Sequence, residues 1–327
     1  MAAVYFHYPC FDGLVSAAIA RSFLEGSCGW EIERFEPVNY DLIKTWLQTR
    51  LDEPAAIVDF LYHPDAVFWA DHHATTFLTD EARRDFETRR SDRILLYDGR
   101  CSSCALVLMD HLAEQLRDRE RYAEMARWAD KVDSAGYSSV EEAIFGSAPA
   151  LRINLSLSDE SAKAETYWSM LLESMRAMTL EEIAALPEVE RHANAVLNRT
   201  RRGIDEVAKT IKTEPGEIAV FEAHQNVERI VNRYSPYVFF PEARYSVGLV
   251  RSADGDKITA MRNPWRDFES VELGDLMRKY GGGGHRRVGS VMIPAGKAPD
   301  AAKTLSAVVA EIRRLDGAAI ETARSKA

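Results

Sequence analysis

Short unbroken apolar runs alternate with longer stretches of helical periodicity through the first half of this chain. That rhythm predicts βαβ units around a mainly parallel sheet. Strands are expected at Ala3 to His7, Trp30 to Phe35, Ala55 to Val58, Ala66 to Trp69 and Ile94 to Tyr97. Helices are expected from Gly13 to Glu25, Tyr40 to Arg50, Ser102 to Arg117 and Glu120 to Lys131. After Asp159 the pattern stays helical as far as Lys212, where Thr213-Glu214-Pro215-Gly216 breaks it. Beyond the break, Ile218 to Phe221, Tyr245 to Val250 and Lys257 to Met261 read as strands. Gly274 to Tyr280 and Ala298 to Leu315 read as helices, giving a smaller α+β domain. The expected class is α/β, divided into a first domain over 1–178, a helical linker over 179–215 and a second domain over 216–327.

With 327 residues and 46% apolar content, the chain has material for two cores. The net charge of −10 argues against coating long nucleic acid, because that binding depends on neutralising many phosphates. A small anion held by a few local cations, and a homodimer, are both compatible with it. No apolar stretch approaches the roughly 20 residues needed to span a bilayer, and Met-Ala-Ala-Val-Tyr enters a strand with no signal-peptide pattern. The expectation is a cytoplasmic protein with no membrane partner. Cys10, Cys28, Cys101 and Cys104 do not form a disulfide framework, which suits a reducing compartment.

The ends of four expected strands share one chemistry. His7 is followed by Pro9-Cys10-Phe11-Asp12-Gly13, Val58 by Asp59, Ala70 by Asp71-His72-His73, and Tyr97 by Asp98. A lone aspartate after a strand is most often a helix N-cap. Several on one sheet edge would repel each other in a low-dielectric cleft unless a cation neutralised them, so the grouping predicts a divalent metal. Imidazole and carboxylate are suitable ligands for such ions, and a pair of ions suits phosphoryl chemistry.

The order of these motifs, followed by Gly281-Gly282-Gly283-Gly284-His285-Arg286-Arg287-Val288-Gly289, resembles the DHH phosphoesterases with their C-terminal DHH-associated domain. The first motif is most similar to the subgroup reading Tyr-His-x-x-Cys-x-Asp-Gly, here Phe6-His7-Tyr8-Pro9-Cys10-Phe11-Asp12-Gly13. The resemblance spans nearly the whole chain and implies a metal-dependent phosphoester hydrolase. One or two Mn2+ ions, with Mg2+ or Co2+ as alternatives, would activate a water. Motif by motif, it implies that Asp12, Asp59 as a bridging residue, and His72 bind metal. Asp71 would support His72, and His73 would face the substrate phosphate, so that Asp71, His72 and His73 form the catalytic set. The fourth motif falls in Trp128-Ala129-Asp130-Lys131-Val132-Asp133, with Asp130 the first choice of ligand and Asp133 the second. The substrates implied are short oligonucleotides of the nanoRNA type. Alternatives are 3′-phosphoadenosine 5′-phosphate, polyphosphate and cyclic dinucleotides, or a catalytically weakened nucleotide sensor.

Cys10 stands where many members of that family carry another aspartate. A neutral thiol is a poor ligand for hard ions, so one metal site is expected intact and the other weakened, with His7 and Asp59 left to hold the second ion. The four glycines can adopt positive φ and bring backbone N–H groups, from Gly283 and Gly284 in particular, close to a phosphate. His285 would then hydrogen-bond a phosphate oxygen, with Arg286 adding charge. Arg262 follows a strand and is a candidate for bidentate phosphate contact. Because these groups lie far from the metal ligands in sequence, the active site is expected in the interdomain cleft. In Cys101-Ser102-Ser103-Cys104, no second cysteine pair completes a zinc site, so a serine here is expected to cap a helix.

Overall fold

In the first sheet, both faces of each central strand are apolar, so the runs are continuous and not alternating. The computed structural model describes residues 2–253, 255–294 and 298–326. Its first strands and helices are β1 (Ala2–His7), α1 (Phe11–Ser27), β2 (Ile32–Val38), β3 (Ala55–Val58), β4 (Ala66–Asp71), α2 (Asp80–Arg89) and β5 (Ile94–Tyr97). Helices follow: α3 (Cys104–Leu112), α4 (Arg119–Asp133), α5 (Val140–Phe145), α6 (Pro149–Ser156), α7 (Glu165–Ser174), α8 (Leu180–Ala184) and α9 (Pro187–Ala208). The remaining elements are β6 (Lys212–Glu214), β7 (Ile218–His224), α10 (Pro236–Phe239), β8 (Tyr245–Ser252), β9 (Gly255–Arg262), α11 (Leu273–Arg278), β10 (Gly283–His285), β11 (Val288–Ile293) and α12 (Ala298–Lys326).

The chain divides into two compact units. The first comprises Met1–Tyr137 and Ser147–Ala195, the second Ser138–Gly146 and Val196–Ala327. The division therefore runs through α9 instead of leaving 179–215 as a separate linker, and α5 joins the second unit. The amphipathic faces of a long helix pack on whichever core each turn reaches.

The first unit holds a five-stranded, wholly parallel sheet in the order β2-β1-β3-β4-β5. Successive side chains enter opposite cores, as the period of two demands. Val4 and Phe6, Ala56 and Val58, and Phe68 and Ala70 face a helix-packed core with Leu14, Ile19 and Leu108. Tyr5, Ile57 and Trp69 face an aromatic core with Trp46, Phe60, Tyr62 and Phe86. The strand order reverses direction between β1 and β3, and in open α/β sheets such a switch point opens a crevice at the carboxyl ends of the strands.

The helix expected over Tyr40 to Arg50 does not form; two short 3-10 turns, Tyr40–Leu42 and Trp46–Gln48, replace it. Trp46 is fully buried and its indole N–H donates to the carbonyls of Leu61 (3.0 Å) and Tyr62 (3.2 Å), so tertiary anchoring overrides helical propensity.

The second unit holds a six-stranded mixed sheet, order β10-β11-β9-β8-β7-β6, antiparallel except between β7 and β8. Its core joins Tyr245, Val247, Leu249, Ile258 and Leu276 to Leu305, Val308 and Ile312 of α12. Asp316 fastens α12 to β8 by accepting from Arg244 at 2.9 and 2.7 Å and from the Tyr245 hydroxyl at 2.7 Å, a charge-assisted fork. Among the described residues no helix is long and apolar enough to cross a membrane.

Candidate metal centre

Three strand ends and two helix ends bring the polar groups together. His7 closes β1, and its Nδ1 lies 3.3 Å from Asp59 Oδ2. Asp12 sits in the first turn of α1, where Gly13 lets the helix approach the strand: a Cβ at Gly13 would lie 2.1 Å from the His7 carbonyl oxygen. Asp12 is fully buried, and its two oxygens accept from the backbone N–H of Cys104 (2.7 Å) and Ala105 (2.9 Å) at the start of α3. That carboxylate is thus held by a helix N-terminus. Asp59 follows β3 with φ of 56°, a left-handed conformation that aspartate tolerates better than branched residues.

Asp71 ends β4, and its Oδ1 accepts from His73 Nδ1 at 2.8 Å, which orients the His73 ring. His72 Nδ1 lies 3.3 Å from the Cys101 carbonyl oxygen; since a carbonyl only accepts, Nδ1 carries the proton. The opposite nitrogen, Nε2, then faces Asp133 Oδ2 at 3.5 Å, Asp59 Oδ1 at 3.7 Å and Asp12 Oδ2 at 3.9 Å. A lone pair ringed by three carboxylates is repulsive unless a cation lies among them. Both His72 Nε2 and Asp59 Oδ1 are buried without a hydrogen-bond partner, as is Asp71 Oδ2. Buried polar atoms are rarely left so. Among the described residues, three overlapping groups have ligand atoms within 4.8 Å of one another: Asp59, Asp71, His72 and His73; His7, Cys10 and Asp59; Asp12, His72 and Asp133. These donors fit divalent cations.

The electrostatics agree. Burial, then repulsion from Asp59 and Asp133, pushes the Asp12 carboxyl well above its usual range. Burial and Asp59 raise Asp133 as well. Burial opposes protonation of His72, but the neighbouring Asp59, Asp12 and Asp71 carboxylates outweigh it and raise the imidazole to about 9. Asp59 titrates below its usual value; burial works against this, and the flanking His7, His72 and His73 overcome it.

Of the fourth-motif candidates, Asp133 stands in the centre and Asp130 does not. Asp130 Oδ1 accepts from the Ser102 hydroxyl at 2.5 Å; it lies nearly one turn before Asp133 on the same side of α4, about 4.5 Å back along the axis, while Asp133 stands at the helix's C-terminal end. Asp98, the fourth strand-end acid, pairs with Arg100 at 2.7 Å outside the cluster. Ser103 caps α3, accepting from Leu106 N–H at 3.3 Å. Tyr40 carried no chemical signal in the sequence, yet its ring packs edge-on to His7, with centroids 5.3 Å apart, and lies 6.4 Å from His73.

No family model matches the sequence, and no curated protein matches it. Solved structures do. The pGpG-specific phosphodiesterase PggH from Vibrio cholerae superposes with a TM-score of 0.70 at 18% identity, over 94% of this chain and 99% of that one. The DHH domain of a member of the s1p family of ribosomal proteins gives 0.60 at 11% identity, over 95% and 87%. RecJ from Thermus thermophilus in complex with Mn2+ gives 0.56 at 15% identity, over 95% of this chain and 52% of that one. The fold is that of the DHH phosphoesterases.

Within this DHH fold, the second-unit residues expected to grip phosphate are engaged differently from the metal centre. Arg262 is 7% exposed; its two terminal nitrogens donate to the carbonyls of Asn263 and Phe268, each at 3.0 Å, and its guanidinium lies 4.3 Å from the Phe268 ring. Burial, reinforced by repulsion from Arg287, lowers its pKa. The glycine run is built into a hairpin. Gly281 and Gly282 donate to Arg278 and Met277 at the end of α11, while Gly283 and Gly284 pair with Ser290 and Gly289. Gly284 has φ of 147°, and a Cβ there would lie 2.3 Å from the Val288 carbonyl oxygen, so packing alone requires glycine. Arg286 pairs with Glu272 at 2.6 Å. The His285 side chain lies outside the described residues.

Proposed function

We propose that this protein is a divalent-metal phosphoesterase that hydrolyses short linear oligonucleotides, with 5′-phosphorylated dinucleotides as preferred substrates. The observation that carries this reading is the pair of orphaned buried atoms, His72 Nε2 and Asp59 Oδ1, 3.7 Å apart within a ring of carboxylates. Such an arrangement is costly unless a cation is held there. The likeness to PggH over nearly the full length of both chains supports the dinucleotide class.

Bound divalent cations supply Lewis acidity toward a phosphoryl oxygen and a nucleophile at neutral pH. Asp12, Asp59, His72 and Asp133 would hold a Mn2+ ion, and His7 would add a further nitrogen beside Asp59. The Cys101 carbonyl keeps His72 in the tautomer that presents Nε2. Asp71 fixes His73, raised in pKa by that carboxylate against the effect of burial, so that it presents a proton to a phosphate oxygen. Tyr40, beside His7 and His73 and 39% exposed, offers a face for a nucleobase.

The test is hydrolysis of pGpG and of two- to five-nucleotide RNA with Mn2+ by the wild type and Asp59→Asn, beside 3′-phosphoadenosine 5′-phosphate, polyphosphate and cyclic dinucleotides. Mononucleotide release by the wild type alone, and little turnover of the other compounds, is expected. Equal activity in wild type and variant overturns the reading.

A further inference from the structure

The reading above leaves Cys10 unused. Cys10 is the residue preceding α1; it has extended backbone, and its side chain makes no capping hydrogen bond. The ordinary role of that position is therefore unfilled. Its thiol, His7 and Asp59 present ligand atoms that all lie within 4.8 Å of one another. Asp59 is 1% exposed; its Oδ2 faces His7 Nδ1 at 3.3 Å while its partnerless Oδ1 faces His72 and His73, so one buried carboxylate presents an oxygen to each side.

The donor sets on either side of Asp59 differ in kind. On one side, Asp12, His72 and Asp133 offer oxygen and nitrogen, a set for hard ions such as Mn2+. On the other, His7 and Cys10 offer nitrogen and sulfur, which favour borderline-soft ions. We propose that His7, Cys10 and Asp59 form a second cation site with a thiolate ligand, selective for zinc, ferrous iron or cobalt over manganese, and sharing Asp59 with the first. As the sulfur–metal bond forms, the Cys10 proton leaves to solvent. The cysteine thus changes the identity of the second ion instead of removing its site. This rests on the metal-hydrolase reading and deepens it.

Cobalt titration of the metal-free full-length protein tests it, because a thiolate on Co2+ gives an intense near-ultraviolet charge-transfer band that nitrogen and oxygen donors do not. The wild type should bind two cobalt ions and show the band. Cys10→Ser should lose the band and bind one ion. Cys10→Asp should bind two ions with no band, and should show a stronger preference for manganese when the two metals compete. Cys28→Ser, at a free and exposed cysteine, should match the wild type. Two bound ions without a band in the wild type, or a band that persists in Cys10→Ser, overturns the thiolate ligand while leaving the phosphoesterase intact. No cobalt binding to any variant overturns both the site and the metal-hydrolase reading.

Discussion

The two regions singled out as sites in the sequence use their polar groups in opposite ways. At the carboxyl ends of β1, β3 and β4, polar atoms are buried and left without partners: His72 Nε2, Asp59 Oδ1 and Asp71 Oδ2. In the second unit, Arg262, Arg286 and the first glycines of the run, all among the described residues, are already satisfied within their own unit. Arg262 donates to two carbonyls, Arg286 pairs with Glu272, and the first two glycine amides of the run close α11. A region that must bind an ion keeps electrostatic repulsion in reserve, because only the ion relieves it. A region that must hold a sheet edge and a hairpin satisfies its donors at once.

The sharpest way to break this contrast is to remove the shared carboxylate. Asp59→Asn should lower kcat on a dinucleotide about 10³-fold or more, since Lewis-acid stabilisation is worth several kcal/mol and each decade costs about 1.4 kcal/mol. Metal counting beside the kinetics should show ions lost with the activity; full occupancy with full activity would place the centre elsewhere. The next test separates the two fourth-motif acids. Asp133→Ala should cost about 10²-fold in kcat, the scale of an impaired metal site, whereas Asp130→Ala should stay within about threefold. The reverse order would mean that Asp133 faces His72 at 3.5 Å without chemical consequence.

The limits of sequence reading follow the same line. β1, β3 and β4 were legible because buried parallel strands are continuous apolar runs, and the grouping of His7, Asp59, Asp71, His72 and His73 was legible because each stands at or just after such an end, with Asp12 in the first turn of the helix that follows β1. The choice between Asp130 and Asp133 was not, since the two share one side of α4 nearly a turn apart, and which of them reaches His72 depends on where α4 ends. Tyr40 was hidden because the surrounding segment reads as helix, while the burial of Trp46 makes it a pair of 3-10 turns. Arg262 is a different case. An arginine after a strand looks like a phosphate ligand, and here the Asn263 carbonyl together with the Phe268 ring and carbonyl, six residues on, engage it.

That account is testable from the other side of the contrast. Arg262→Ala should destabilise the second unit by about 2–3 kcal/mol, through two lost charge-assisted hydrogen bonds and a cation–π contact. KM for a dinucleotide should change less than about threefold while folded protein remains. Chemical denaturation followed by the fluorescence of Trp265 reads the stability. A KM increase of tenfold or more with unchanged stability would return Arg262 to the substrate.

The smallest effect concerns pH. His72 has its folded pKa at about 9, above the ordinary 6.5, so its contribution to stability is complete below pH 6.5 and is lost as pH rises from 6.5 through about 9. Asp12 and Asp133 are raised too, and they lose their contribution as pH climbs above 3.8, so they act in the same direction. Asp59 is lowered; its contribution is complete above pH 3.8 and is flat across the His72 window. The metal-free protein should therefore lose on the order of 1–2 kcal/mol between pH 6.5 and 9, less than an isolated histidine would give because these groups titrate together. A divalent ion replaces the proton as the positive charge at Nε2, so saturating Mn2+ should flatten the profile. Thermal denaturation of the first unit at pH 6.5 and pH 9, with chelator and with Mn2+, measures both. The chelated protein should melt several degrees lower at pH 9. If the metal-free protein is equally stable at both values, the orphaned atoms at His72 and Asp59 hold no such reserve, and the contrast between the two regions fails at its source.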